Sequence, residues 1–71
     1  MSMELRLLFK KLREEAGLTQ KELAAHSGVS LRFIRDVEQG KKSMRMDKVN
    51  QVLKLFGYHL EGVKDENKQE R

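Results

Sequence analysis

The chain contains no cysteine and no proline in its 71 residues. Without cysteine there is no disulfide and no thiolate set for a structural zinc, two staples that domains this small commonly use. His26 and His59 are far apart and have no partner at metal-ligand spacing, so neither a metal nor another cofactor is expected. A single core of this size supplies only ~3–5 kcal/mol. Stability then has to come from regular helix packing or self-association, and a homodimer is expected. Long apolar runs are missing as well, none approaching the ~18–20 residues of a membrane span. The Leu7-Leu8-Phe9 run lies between Glu4/Arg6 and Lys10/Lys11, too short and too charged for a secretory signal. A soluble, cytoplasmic protein with no membrane partner is expected. Catalytic apparatus is also lacking. Ser27, Ser30 and Ser43 have no adjacent base with its orienting group, and the glycines do not cluster into a phosphate loop. An enzyme is not expected.

What the chain does have is unevenly placed positive charge. Fifteen Lys+Arg stand against eleven Asp+Glu, for a net charge of +4. Residues 64–71 hold three basic and three acidic groups and cancel, so the excess lies in residues 1–63. Between Leu31 and Lys48 six basic residues (Arg32, Arg35, Lys41, Lys42, Arg45, Lys48) face three acidic ones. Such a cluster suits a polyanion, although charge alone is equally compatible with a solvated surface.

Glycines punctuate the chain. Leu5, Leu8, Phe9, Leu12 and Ala16 form one apolar stripe at helical spacing, predicting a helix over residues 3–16 that Gly17 closes. Leu7 falls on the opposite face, as an exposed leucine or a partner contact. Thr19 and Glu22 form a capping box that opens a short helix over residues 20–27, ended by Gly28. Ser30 is the next N-cap, for a helix over residues 31–39 closed by Gly40. Residues 41–45 form a basic loop. A fourth helix over residues 47–56 places Met46, Val49, Val52, Leu53 and Phe56 on one face and stops at Gly57. Residues 58–63, Tyr-His-Leu-Glu-Gly-Val, alternate roughly and read as a short strand. A lone strand leaves its backbone groups without partners. Pairing with the same strand of a second copy, through Tyr58, Leu60 and Val63, is the expected solution, and a water-satisfied extended tail is the alternative. Residues 64–71 are wholly polar and form a charged tail expected to be disordered.

Two short helices joined by Gly28-Val29-Ser30 make a helix-turn-helix arrangement. At ~100° per residue, Phe33, Ile34 and Val37 point to the core, while Leu31, Arg32, Arg35, Asp36 and Gln39 share the opposite arc. Phe33 can alternatively reach a sugar. Arginine can give paired hydrogen bonds to guanine, aspartate can accept from cytosine N4, and leucine can pack on a thymine methyl. Gln20 before this arc, and Lys41 and Lys42 after it, are placed for flanking phosphates.

Leu18-Thr19-Gln20-Lys21-Glu22-Leu23-Ala24, Ser27-Gly28-Val29-Ser30, Ile34 and Glu38-Gln39-Gly40-Lys41 together resemble the Xre/Cro-type helix-turn-helix family, over about residues 5–57. The strand after only four helices, with Arg32-Phe33-Ile34 and Arg45-Met46-Asp47-Lys48-Val49, is similar to the HipB-type antitoxins within that family. The resemblance implies an all-α, lambda-repressor-like domain over residues 1–63, with the C-terminal strand paired across a homodimer. It implies DNA contacts from Gln20, Ser30, Leu31, Arg32, Arg35, Asp36, Lys41 and Lys42 on a palindromic operator. It implies a structural ion pair between Arg13 and Glu38, and a HipA-like kinase toxin as partner. Leu31 stands where many relatives carry a polar or basic residue. A repressor that serves as the antitoxin of its own operon is the leading expectation, and a protein-interaction module of the same fold is the alternative.

Overall fold

The computed structural model describes residues 4–61, and among them there are four helices and no strand. They are α1 (Leu5–Glu15), α2 (Gln20–Ser27), α3 (Leu31–Glu38) and α4 (Met46–Lys54). α3 packs against α1 and α2, and α4 packs against α2. Each helix contributes one apolar stripe to a shared centre. Phe9, Leu23, Ile34, Val49, Val52 and Leu53 are essentially sealed from solvent, with Leu12, Ala24, Val29 and Val37 beside them. Burying each of the larger aliphatic or aromatic side chains is worth ~1.5–3 kcal/mol relative to exposure, so the stripes of all four helices are needed at once. No helix among the described residues is long and apolar enough to cross a membrane.

The helix ends follow capping chemistry, and they correct the expected limits. α1 stops at Glu15 because Ala16 is its cap, and Ala16 is therefore exposed instead of extending the apolar stripe. Beyond it, Gly17 N–H donates to Glu14 O and Leu18 N–H to Arg13 O, both at 3.0 Å, the paired bonds of a Schellman closure. α3 ends one residue earlier than expected, with Gln39 as its cap, and Lys41 N–H donates back to Asp36 O at 3.0 Å. α4 starts at Met46 and ends at Lys54. Leu55 and Phe56 continue the apolar spacing, but their amides reach Val52 O and Leu53 O, bonds of the tighter three-residue type. Met46, expected on the inward face, is about half exposed because it opens the helix before the packed turn. Leu7 is likewise exposed on the outer side of α1.

The strand expected over residues 58–63 does not form among the described residues. A ladder needs a second strand, and the described residues supply none. Tyr58 N–H is used in closing α4, donating to Leu53 O at 3.0 Å. Leu60 N–H donates to the side-chain oxygen of Asn50 on α4 at 2.7 Å. Residues 58–61 are thus tethered along α4 as irregular chain, with Tyr58 and Leu60 exposed. Val63 and the tail over residues 64–71 lie outside the described residues.

Candidate nucleic-acid interface

The geometry of the α2–α3 unit is fixed at both ends of each helix. Thr19 Oγ1 accepts from Glu22 N–H at 3.0 Å while Glu22 Oε1 accepts from Thr19 N–H at 2.9 Å, the reciprocal capping box. The hydrogen bonds from the Thr19 backbone and side chain hold the Glu22 carboxyl below its ordinary range. At the far end of α2, Gly28 takes φ +80°, in the left-handed region where a side chain is strained. Gln51 on α4 donates Nε2 to the Ser27 carbonyl at 2.8 Å, supplying a partner to an orphan acceptor at the helix end. Ser30 then caps α3, its hydroxyl oxygen accepting from Phe33 N–H at 3.0 Å. That leaves the hydroxyl proton available for an outside acceptor.

A second network sits behind the two helices. Arg13 Nε donates to Glu38 Oε2 at 2.7 Å and Nη2 to Oε1 at 2.9 Å, a side-on bidentate pair. The two side chains are only 13% and 6% exposed. Arg13 Nη1 also donates to the Leu18 carbonyl at 3.0 Å, and Gln20 Nε2 donates to Glu38 Oε1 at 3.1 Å. One arginine and one glutamate therefore join α1, the α1–α2 turn, α2 and α3. Burial pushes the Glu38 carboxyl upward, but the hydrogen bonds from Arg13 and Gln20 and the charges of Arg13 and Lys10 outweigh it, leaving it below its ordinary value. The Glu38 hydrogen bond, opposed by burial, raises the already high value of Arg13. Gln20, expected to orient on phosphate, has one amide donor committed to Glu38 and keeps its oxygen and second N–H for other partners.

On the outward arc of α3, Arg32 and Arg35 are exposed, and neither has a carboxylate within 4 Å among the described residues. Lys42, just beyond the helix, is exposed in the same way. Leu31 sits lower: it is half-buried and packs against the core. Phe33 does so too, the inward one of its two expected placements, while its edge reaches a groove. Asp36 and Lys41 face each other, Asp36 Oδ2 to Lys41 Nζ at 3.5 Å.

That groove, about 480 Å³ in volume, runs between the start of α3 and the start of α4. Arg32, Asp36, Lys41, Arg45 and Lys48 line it with the hydroxyls of Ser30 and Ser43, over an apolar floor of Phe33 and Met44. Ser43, Arg45 and Lys48 were not among the expected contact residues. The run of basic residues from Arg32 to Lys48 was the signal that could have included the last two. Arg45 is itself engaged, donating Nη2 to Asp47 Oδ2 at 2.7 Å and Nε to Oδ1 at 3.1 Å. Those bonds hold the Asp47 carboxyl below its usual range.

A capped helix, a glycine turn and a second capped helix that turns exposed arginines outward form the arrangement whose sequence pattern, over residues 9–63, matches the model of the helix-turn-helix family (HTH_3). The chain belongs to the helix-turn-helix family. Two relatives come from Sinorhizobium fredii (strain NBRC 101917 / NGR234). The first, an uncharacterised HTH-type transcriptional regulator named y4mF, is 44% identical over 54 residues, covering 76% of this chain and 71% of the relative. The second, an uncharacterised HTH-type transcriptional regulator named y4dJ, is 34% identical over 56 residues, covering 78% and 73%. The matched span of the helix-turn-helix family contains the capping box, the Gly28 turn, the whole of α3 and the basic groove.

Proposed function

We propose that this helix-turn-helix chain is a sequence-specific DNA-binding transcriptional repressor, working in the cytoplasm as a homodimer on a palindromic operator. The observation that carries the reading is the outward arc of α3. Arg32 and Arg35 have no carboxylate within 4 Å among the described residues, while Ser30, Gln20, Lys41 and Lys42 stand at the flanks of the arc. Two such helices related by a two-fold axis read half-sites ~34 Å, or ~10 base pairs, apart. Phosphate contacts supply affinity that falls steeply with salt, and the arc supplies sequence choice. The two transcriptional regulators that resemble the chain support the same reading.

Dimerisation is assigned to the carboxyl-terminal segment. Tyr58 and Leu60 are exposed, and Leu60 lines a groove with Met46, Asn50 and Glu61. Because amides alternate in direction along an extended chain and that of Leu60 is taken by Asn50, His59 and Glu61 carry the amides left for a second copy. Val63, the third residue expected at the dimer contact, lies outside the described residues. The HipB-type features of the sequence further support an antitoxin that represses its own operon and binds a HipA-like kinase toxin.

The test is a fluorescence-anisotropy titration of the DNA upstream of the chain's own gene against a shuffled duplex, at two salt concentrations. A preference of a hundredfold or more, saturating at two chains per site, is expected. Arg32→Ala and Arg35→Ala should each weaken binding by ~1–3 kcal/mol and relax specificity at one position. Absence of binding to either duplex would replace this reading with that of a protein-interaction module.

A further inference from the structure

The groove beside α3 contains one carboxylate among four cationic side chains, and that carboxylate is poorly placed for a surface built only to hold phosphate. Asp36 is flanked by Arg32, Lys41, Arg45 and Lys48. Lys41 folds back on it at two points: its backbone N–H donates to Asp36 O at 3.0 Å, and its ammonium stands 3.5 Å from Asp36 Oδ2. Arg45 is engaged by Asp47. The charge that a phosphate would meet first therefore comes from Arg32 and Lys48, with the Asp36 carboxylate between the helices.

We propose that Asp36 and Lys41 form a selectivity device, in which Asp36 disfavours duplexes that offer this groove only phosphate and Lys41 holds its carboxylate in position. The proposal rests on the DNA-binding reading and deepens it. Lys41 cannot serve two anions at full strength. If it moves to a backbone phosphate, Asp36 loses its ion-pair partner while facing that phosphate, and like charges brought together are unfavourable. If it stays on Asp36, one cationic contact is withheld from the duplex. Either way, binding that ignores sequence is weakened. A base pair that turns an exocyclic amino group toward Asp36, cytosine N4 or adenine N6 in the major groove, supplies the donor that the carboxylate lacks. The penalty is then offset on that sequence alone. Asp36 is thus a specificity-determining residue, and Lys41 is a positioning residue that acts through it.

The experiment uses the full chain and its Asp36→Ala, Asp36→Asn and Lys41→Ala variants. Each selects from a random duplex library, and each is then titrated on the wild-type selected duplex and on a scrambled one at several salt concentrations. Asp36→Ala should bind the scrambled duplex at least about tenfold more tightly than wild type, and its selected sites should lose one base preference per half-site. Asp36→Asn should move that preference toward adenine, which asparagine contacts through N6 and N7. Lys41→Ala should blunt the preference at the same position. An ordinary phosphate contact would instead lower affinity for both duplexes equally and reduce the salt slope by ~1. Unchanged affinity of Asp36→Ala for scrambled DNA, with an unchanged selected site, would overturn the proposal while leaving the DNA-binding reading intact. Wild-type protein that enriches no duplex would overturn both.

Discussion

The carboxamide of Gln51 lies across Gly28: its Nε2 donates to the Ser27 carbonyl at 2.8 Å and stands 3.0 Å from where a Cβ on residue 28 would sit. Gly28 therefore meets two demands, a left-handed backbone and room for a side chain from α4. Gly17, at φ +72°, meets only the first, since nothing lies within 4 Å of its absent Cβ.

Alanine at position 17 should cost the ~1–2 kcal/mol of a left-handed non-glycine residue. Alanine at position 28 should cost about 1 kcal/mol more, because the Gln51–Ser27 hydrogen bond must shift or break. Urea unfolding of the two variants measures the difference. Adding Gln51→Ala to Gly28→Ala should destabilise less than the sum of the single changes, and strict additivity would show that the two residues do not compete for space.

Arg13 and Glu38 give the second prediction. Both side chains are largely buried and joined by two hydrogen bonds, so removing either one leaves the other charge stranded. Arg13→Ala or Glu38→Ala should each destabilise by ~3–5 kcal/mol, whereas replacing both with apolar residues of similar size should cost far less. Denaturant melts of the two single variants and the double variant decide it. A loss below about 1 kcal/mol in both singles is the range of an exposed pair and would show the bridge to be solvent-screened.

The same pair sets a pH dependence. Glu38 is held below its ordinary carboxylate value in the folded chain, so the unfolded chain binds more protons in the acid range. Its contribution is complete above the unfolded value, near the ordinary 4.5, and is lost as pH falls through the lower folded value. Stability should therefore decline below about pH 5, and Glu38→Gln should flatten that decline while lowering stability at pH 7. Thermal melts from pH 7 to pH 3 provide the comparison.

The fourth prediction separates two roles of the carboxyl-terminal segment. Proline at Leu60 removes the N–H that Asn50 accepts, and Asn50→Ala removes the same bond from the other side. Proline at Glu61 removes an amide with no partner among the described residues. If residues 58–63 pair between two copies, Glu61→Pro should abolish the dimer in sedimentation at micromolar concentration. Loss of the Asn50–Leu60 bond alone should only weaken it. A mass unaffected by Glu61→Pro would exclude strand pairing as the route to a dimer.

Features of this structure that are local in the chain were legible in the sequence. The Thr19–Glu22 box and the Ser30 cap join residues three apart, a spacing that helix geometry dictates. The division of α3 into buried Ile34 and Val37 and outward Arg32 and Arg35 follows from periodicity. Bonds that depend on how the helices sit against each other were not legible. Gln51 to Ser27 and Gln20 to Glu38 span 24 and 18 residues, and no spacing rule selects those partners. The end of α4 is not legible because Leu55 and Phe56 keep the apolar rhythm while the backbone tightens beneath them. Alternation over residues 58–63 suggested a strand, yet alternation states only which faces differ and supplies no neighbour to pair with. The sequence presents Asp36 and Lys41 as separate DNA contacts, and the Gly40 turn brings them together.

The division of labour along α3 has an evolutionary consequence. Ile34 and Val37 hold the helix in the core, while Arg32 and Arg35 are exposed on its outer arc. Changes at the two arginines can therefore redirect target choice at almost no thermodynamic cost, and duplicated copies of such a gene can diverge toward new sites before any compensating change arises elsewhere. Leu31 and Phe33 are the exceptions, because they touch the core and the outer surface together. At those two positions a new target preference and a stable domain must be selected as one trait.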